Sequence, residues 1–269
     1  MKLGSNVGVL RVGSTAVAAV KRGTDRVYDA DVAAFQKASD AADVTGIMDL
    51  VDYLKGQSLW DYARFYPMKS SQNAGSGSTV YGLGGLTSNN MTLVNSPTWG
   101  SGGVTFDAAS SQSGTISDFS GDGTASYWFR GTPVTSGTGV LLSQWSSPTN
   151  SRSLQMFDNS GSIRLARSGD GVSSETDEDG LLAGGDICLS AEWVDGGGRT
   201  LWVNKTPQSL TLVGGSAQTG RYNASADIVL MGQADNTPYE SGTVAVAGFI
   251  ETALTTTQRE TITDLINAL

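Results

Sequence analysis

The chain has 269 residues, 39% of them hydrophobic, with 35 glycines, one cysteine, no histidine and a formal net charge of −9. Without histidine it cannot build a Ser-His-Asp or Cys-His relay or a His-ligated zinc, and a single cysteine excludes both an internal disulfide and a thiolate zinc site. The acidity lies in residues 61–269, with 10 basic against 19 acidic side chains, and no Lys/Arg cluster interleaved with aromatics is present, which excludes a nucleic-acid-binding surface.

Val9 to Val17 reads Val-Leu-Arg-Val-Gly-Ser-Thr-Ala-Val, and Ala19 to Val27 repeats the pattern as Ala-Val-Lys-Arg-Gly-Thr-Asp-Arg-Val. Each unit alternates apolar and polar residues about a central Gly-Ser or Gly-Thr, which predicts two consecutive hairpins. Hairpins of this size bury little surface alone and require a partner; Val12, Gly13, Ser14, Arg22, Gly23 and Thr24 are the residues expected to dock on it. The apolar stretch after Lys2 is too short, too glycine-rich and too soon broken by Arg11 for a signal peptide, and no run approaches transmembrane length, so assembly in a cytoplasm is expected.

Asp29 or Asp31 can cap a helix carrying Val32 and Phe35 and ending near Ser39-Asp40. Thr45 can cap a second, in which Ile47, Leu50, Val51 and Leu54 form one apolar stripe before Gly56. Leu59 to Pro67 gathers four aromatics within seven residues, as expected of a joint with the next domain. Ser70 to Ser78 has no apolar side chain but Ala74 and reads as an exposed loop. A boundary at residue 58 therefore divides an attachment module, 1–58, from a large domain, 59–269.

Beyond Val80 short alternating segments are separated by turn signals, the pattern of a β-sandwich. Strands are predicted at 92–94, 103–106, 113–116, 125–130, 139–144, 153–157, 162–166, 187–194, 200–204, 228–231 and 243–250. Asp158-Asn159-Ser160-Gly161 and Asp195-Gly196-Gly197-Gly198 mark hairpin turns. The six acids between Asp170 and Asp186, with no base among them, read as a solvated loop, and Cys188 as an inert strand thiol. A terminal helix follows, with a Thr255/Gln258 capping box and an apolar face of Ile262, Leu265, Ile266 and Leu269.

Ser126-Tyr127-Trp128-Phe129-Arg130, Val140-Leu141-Leu142-Ser143, Ala191-Glu192-Trp193-Val194-Asp195-Gly196-Gly197 and Arg199-Thr200-Leu201-Trp202-Val203-Asn204 resemble the laminin-G/concanavalin-A-like jelly roll, as does the ending from Gly242 through Ala253-Leu254-Thr255. The resemblance covers roughly residues 65–269 and implies a mainly β sandwich preceded by a small hairpin-plus-helix anchor. The order of parts (Gly-Ser-Thr hairpins, Ala34-Phe35 through Gly56, Leu59-Trp60, Tyr66-Pro67, a Ser-Ser-Gln-Asn-Ala-Gly loop, a jelly roll) resembles tail-fibre and head-fibre proteins of bacteriophages. It implies a non-enzymatic virion protein whose N-terminus docks on capsid or tail while the jelly roll projects toward host-surface glycan; a homo-oligomer, such as a trimer, is expected. A capsid-decoration protein and a soluble lectin or glycosidase are the alternatives.

Candidate glycan-binding residues are Trp145, Trp202, Asn236 and Tyr239, because sugars stack on aromatics beside amides and carboxylates. Trp202 and Asn204 share a strand face opposite Leu201 and Val203; a loop or the terminal helix is the alternative occupant of that face. Trp60, Trp99, Trp128 and Trp193 read as core or joint residues. Glu175-Thr176-Asp177-Glu178-Asp179 resembles the paired-carboxylate strand of laminarinase-type glycosidases, yet it ends in Asp, has Thr and Glu at intervening positions where the enzymes are apolar, and follows a loop-like Gly171-Val172-Ser173-Ser174. No catalytic residue and no cofactor are expected. Calcium is a habit of the resembled family, with Asp118, Asp122, Asp235 and Asn236 as donors, but Asp and Asn also favour turns on local grounds.

Overall fold

The computed structural model describes residues 11–12, 15–16, 19–22, 25–86, 90–117, 123–134, 138–146, 151–168, 175–178, 185–219, 227–233 and 239–269. Two antiparallel sheets face each other. One has nine strands in the order Thr211–Gly215, Glu175–Glu178, Ser162–Arg167, Ser151–Asn159, Thr138–Ser146, Ile228–Leu230, Ser113–Ile116, Met91–Val94 and Thr79–Val80. The other runs Thr206–Pro207, Arg199–Val203, Ile187–Trp193, Ala125–Pro133, Gly242–Ile250, Gly103–Phe106 and Thr98–Gly100; its eighth strand, Ala63–Pro67, shares one edge of Gly242–Ile250 with Gly103–Phe106, end to end. The fold is mainly β, a jelly-roll-like sandwich with a C-terminal helix, as the alternating segments predict.

Alternation sorts the faces. Tyr127, Phe129, Leu189, Ala191, Trp193 and Leu201 enter the core between the sheets and meet Leu142, Leu154, Met156, Leu165 and Ile228. Tyr127 lies edge-on to Trp193, with ring centroids 5.5 Å apart at 86°, an arrangement that aromatic quadrupoles favour.

The opposite face of the eight-stranded sheet is also dry. Phe65, Trp128, Cys188, Val246 and Ile250 pack there against three helices, α1 (Ala30–Ser39), α2 (Thr45–Gly56) and α3 (Thr256–Ala268), through Val32, Phe35, Ile47, Leu50, Val51, Leu54, Ile262 and Ile266. The molecule therefore has three layers and two cores. Asp29 caps α1, its carboxylate accepting the N–H groups of Asp31 and Val32. Val44, not Thr45, is the N-cap of α2, and the Asp43 carboxylate accepts the Thr45 N–H at 3.0 Å. The capping box of Thr255 and Gln258 forms as predicted, and Trp128 donates its indole N–H to Thr263 on α3 at 3.3 Å. Burial pushes the Cys188 thiol up to about 12, so it stays protonated and unreactive.

Three sequence readings change. The boundary at residue 58 cuts through the second core, because α1 and α2 precede it and the sheet they cover follows it. The stretch 70–78 is not wholly exposed: Gln72 and Asn73 are buried, and Gln72 donates to the Leu269 carbonyl at 2.9 Å. The acidic run contains a strand, Glu175–Glu178, in which Glu175 stands opposite Arg167 and Asp177 opposite Leu165. Ahead of the helices, Val12 pairs with Thr15 and Arg22 with Asp25, forming two separate hairpins as the duplication predicts. Their turn residues Gly13, Ser14, Gly23 and Thr24 lie outside the described residues.

One end of the sandwich encloses two acids. Glu240 is 5% exposed, accepts the Ser241 N–H and lies against Gly139. Asp158 is fully buried; its Oδ1 accepts the Gly161 N–H at 3.0 Å, while its Oδ2 has no hydrogen-bond partner among the described residues. Burial, helped by the neighbouring Asp158, pushes Glu240 up to about 7 from an ordinary 4.5, and burial also raises Asp158. A carboxyl raised in the folded state binds its proton more tightly than in the unfolded chain. Stability from Glu240 is thus fullest below pH 4.5, falls as pH rises to about 7, and is flat above. Thermal melts should show the wild type losing on the order of 2 kcal/mol across that window and Glu240→Gln losing much less. Parallel pH profiles for the two proteins would contradict this.

Candidate functional site

A cleft of about 300 Å³ opens where α1 meets the strand Ala63–Pro67 and the segment after Val80. Buried Phe35 and Leu83 belong to its lining with Ala34 and Ala38, and its polar and aromatic lining is Asp31, Trp60, Arg64, Tyr81 and Asn90. Each is held by structure built elsewhere. Leu83 and Phe65 exchange two backbone hydrogen bonds of 2.7 Å, docking the segment against the strand edge. Asn73 pins it further: its amide donates to the carbonyls of Pro67 (2.8 Å) and Tyr81 (3.0 Å), and its oxygen accepts the N–H groups of Ala74 (2.9 Å) and Tyr81 (3.0 Å).

The docking is close enough to demand glycine. A Cβ on Gly82 would stand 2.3 Å from Arg64 Nε, and one on Gly84, at φ +145, would stand 1.9 Å from the Ala63 carbonyl. Arg64 Nη1 donates to the Gly84 carbonyl at 3.1 Å, so the loop also fixes the guanidinium. On the other side, Lys55 bonds both carboxylate oxygens of Asp29 at 2.9 Å, bonds Asp31, and stands 4.7 Å from the centre of the Trp60 ring. Burial opposes ionisation of Asp29, but Lys55 and the two capping N–H groups outweigh it and hold the carboxyl below its ordinary value.

The arrangement offers two aromatic rings, a cation, a carboxylate and an amide around a partly apolar depression. Asn90 uses its oxygen to accept the Gly82 N–H at 3.0 Å, which leaves its NH₂ to donate. Rings that bind the apolar faces of a pyranose, with side chains that bond its hydroxyls, need this combination. Replacing Asn73 by Ala removes four hydrogen bonds, one buried and three partly buried, and should cost about 3 kcal/mol, with the loss of any ligand bound in the cleft. An unchanged melt and unchanged binding would contradict its positioning role.

The residues singled out from sequence are not brought together. Trp202 lies in the eight-stranded sheet and Trp145 in the nine-stranded one. Trp202 is half-buried, with Arg259 of α3 over its ring at 3.8 Å and Arg259 itself paired to Glu192 at 2.7 Å. Its neighbour Asn204 accepts the Cys188 N–H at 2.8 Å through its side-chain oxygen, so the expected ring is covered by Arg259 and the amide oxygen is engaged by the sheet. Trp145 is 8% exposed, too little for a stacking platform, and the Tyr239 ring lies over Gly232. Asn236 lies outside the described residues, as do the calcium candidates Asp118, Asp122 and Asp235. Among the described residues no group of three or more acidic or cysteine side chains could hold a metal, and no helix is long and apolar enough to cross a membrane.

Trp128 and Trp193 are core, as expected, but Trp60 borders the cleft. Arg64, Tyr81 and Asn90 escaped the sequence reading altogether. The signal that could have found them is a lone arginine amid Trp60, Tyr62, Phe65 and Tyr66, followed by Gly82-Leu83-Gly84-Gly85.

No protein-family model matches the sequence, and no curated protein is detectably similar to it. The fold does have solved counterparts. The receptor-binding domain of botulinum neurotoxin D superposes with a TM-score of 0.55 at 7% identity, covering 77% of this chain and 53% of that one. The serotype D ligand-binding domain in complex with N-acetylneuraminic acid gives 0.54 at 8% identity, covering 77% and 52%. A botulinum neurotoxin type C structure, from a protein whose cell entry depends on two ganglioside molecules, gives 0.52 at 8% identity, covering 78% and 53%. The chain spans about half the length of these proteins, and at such identities the likeness is one of fold.

Proposed function

We propose that the chain is a non-enzymatic, glycan-binding component of a bacteriophage virion, its N-terminal hairpins docked on the particle and its sandwich displayed toward host-surface sugar. The cleft carries the glycan half of this reading, because Trp60, Tyr81, Arg64 and Asn90 converge on one depression. Structural neighbours reported with sialic acid or gangliosides support it in kind. The virion half rests on the order of parts in the sequence and on two hairpins that, among the described residues, join neither sandwich sheet. Each is too small to be stable alone, so strand addition to a particle protein or to other copies of the chain would complete it. The same chemistry suits a tail or head fibre and a capsid-decoration protein; copy number per particle separates them.

Glycan-array binding by the wild type, with loss in Tyr81→Ala, tests the cleft, and incorporation of a chain lacking residues 1–28 tests the docking. No binding to any glycan, or normal incorporation of the truncated chain, overturns the respective half. A hydrolase reading has one observation in its favour, that Glu175–Glu178 is a strand and not a loop. Hydrolysis of a β-glucan by the wild type, abolished in Glu175→Gln, would replace the lectin reading.

A further inference from the structure

The charge balance of the cleft narrows the ligand class, an inference that rests on reading the cleft as a glycan site. One cation, Arg64, lines it, and a second, Lys55, stands beside it against Trp60. Lys55 is saturated, bonded to both oxygens of Asp29 at 2.9 Å and to Asp31. Arg64 is not. Among the described residues its guanidinium makes one hydrogen bond, from Nη1 to the Gly84 carbonyl, and lies with Cζ 6.0 Å from the centre of the Tyr66 ring. Nε is sealed against Gly82 without an acceptor, while Nη2 has no acceptor among the described residues and is not sealed.

A half-buried guanidinium without an anionic partner is unfavourable in the free protein. The chain is not short of carboxylates, holding 26 acidic residues against 17 basic ones. Asp31 lines the same cleft, yet it pairs with Lys55 across the α1–α2 junction and not with Arg64. Arginine keeps its charge at every relevant pH and presents paired donors that match a carboxylate. The cation is therefore fixed in place, half-buried and, among the described residues, without a counter-ion.

We propose that the ligand supplies the counter-ion: the cleft binds a sugar carrying a carboxylate, a sialic or a uronic acid, with the carboxylate on Arg64 Nη2. Trp60 and Tyr81 then take the apolar faces of the ring, and the Asn90 NH₂ bonds a hydroxyl. Anion binding relieves the isolated charge, so affinity falls with added salt.

Matched pairs decide it: 3′-sialyllactose against lactose, and trigalacturonate against its fully methyl-esterified form, titrated calorimetrically into the full chain and into Arg64→Gln and Tyr81→Ala. In at least one pair the acidic member should bind the wild type tenfold or more tightly than the neutral member, and which pair does so separates sialic from uronic acid. Arg64→Gln should erase that preference, weakening the acidic member at least tenfold more than the neutral one, and Tyr81→Ala should weaken both. Equal affinity for acidic and neutral members in the wild type overturns the acidic-sugar assignment and leaves the glycan reading standing, even where Arg64→Gln fails to fold. Equal loss of both members in Arg64→Gln also overturns it, because the arginine would then be structural. Absence of binding by all four probes overturns the acidic-sugar assignment, whereas the glycan reading falls only with a blank array.

Discussion

Deleting residues 1–58 will leave an insoluble chain, whereas deleting residues 1–28 will leave the melting temperature of the sandwich unchanged. The first deletion removes α1 and α2 and with them Val32, Phe35, Ile47, Leu50, Val51 and Leu54, all buried in the second core. At about 1.5–3 kcal/mol for each side chain, the loss is on the order of 10 kcal/mol, comparable to the whole stability of an ordinary domain. It also strips two of the three helices from the apolar outer face of the sheet and leaves α3 alone to cover it, exposing apolar surface of the kind that aggregates. The second deletion stops just before Asp29, which caps α1 and binds Lys55, so both of those interactions survive. Soluble expression and a cooperative melt of the 59–269 fragment would show that the helices are an appendage and not a layer.

The sandwich strands were legible because one face of each meets the core. Leu189, Ala191 and Trp193 alternate with Cys188, Ser190 and Glu192, so the period of two shows in the sequence even though every residue from Ile187 to Trp193 is buried. Alternation falls silent where both faces carry apolar residues, which is why Ala63–Pro67 reads as an aromatic joint: Phe65 packs toward the helices while Tyr66 packs between the sheets. Gln72 and Asn73 misled in the opposite sense, since polar side chains read as loop surface until their hydrogen-bond partners, 197 residues away for Gln72, are known. Trp202 was placed on the correct face, but whether that face was open depended on α3 and the reach of Arg259. The cleft was hidden for a related reason. Trp60, Arg64, Tyr81 and Asn90 have no periodicity in common; they converge because Gly82 and Gly84 let one segment lie flat on a strand.

Replacing Trp60 and Tyr81 together by alanine should all but abolish glycan binding while leaving the fold intact. Both rings are half-buried and pack against the edge of the second core without belonging to its buried set, so the double substitution lowers the melting temperature modestly and the fold persists. A stacked aromatic at a binding site contributes about 2 kcal/mol, roughly thirtyfold in Kd, and two rings on one sugar combine to nearly a thousandfold. The paired control is Trp202→Ala together with Trp145→Ala, which should lower the melting temperature through lost packing and leave sugar affinity unchanged. The reverse pattern would return the site to the residues first suggested by sequence.

The central claim, that sugar binds between α1 and the Gly82–Gly84 loop, is tested most directly by following the tryptophan indole N–H resonances during titration with 3′-sialyllactose or trigalacturonate. The chain has six tryptophans and hence six such signals, which single substitutions assign. Trp60 should shift in a saturable manner while Trp128, Trp145, Trp193 and Trp202 stay in place. A saturable shift of Trp145 or Trp202 with Trp60 unmoved would contradict the account.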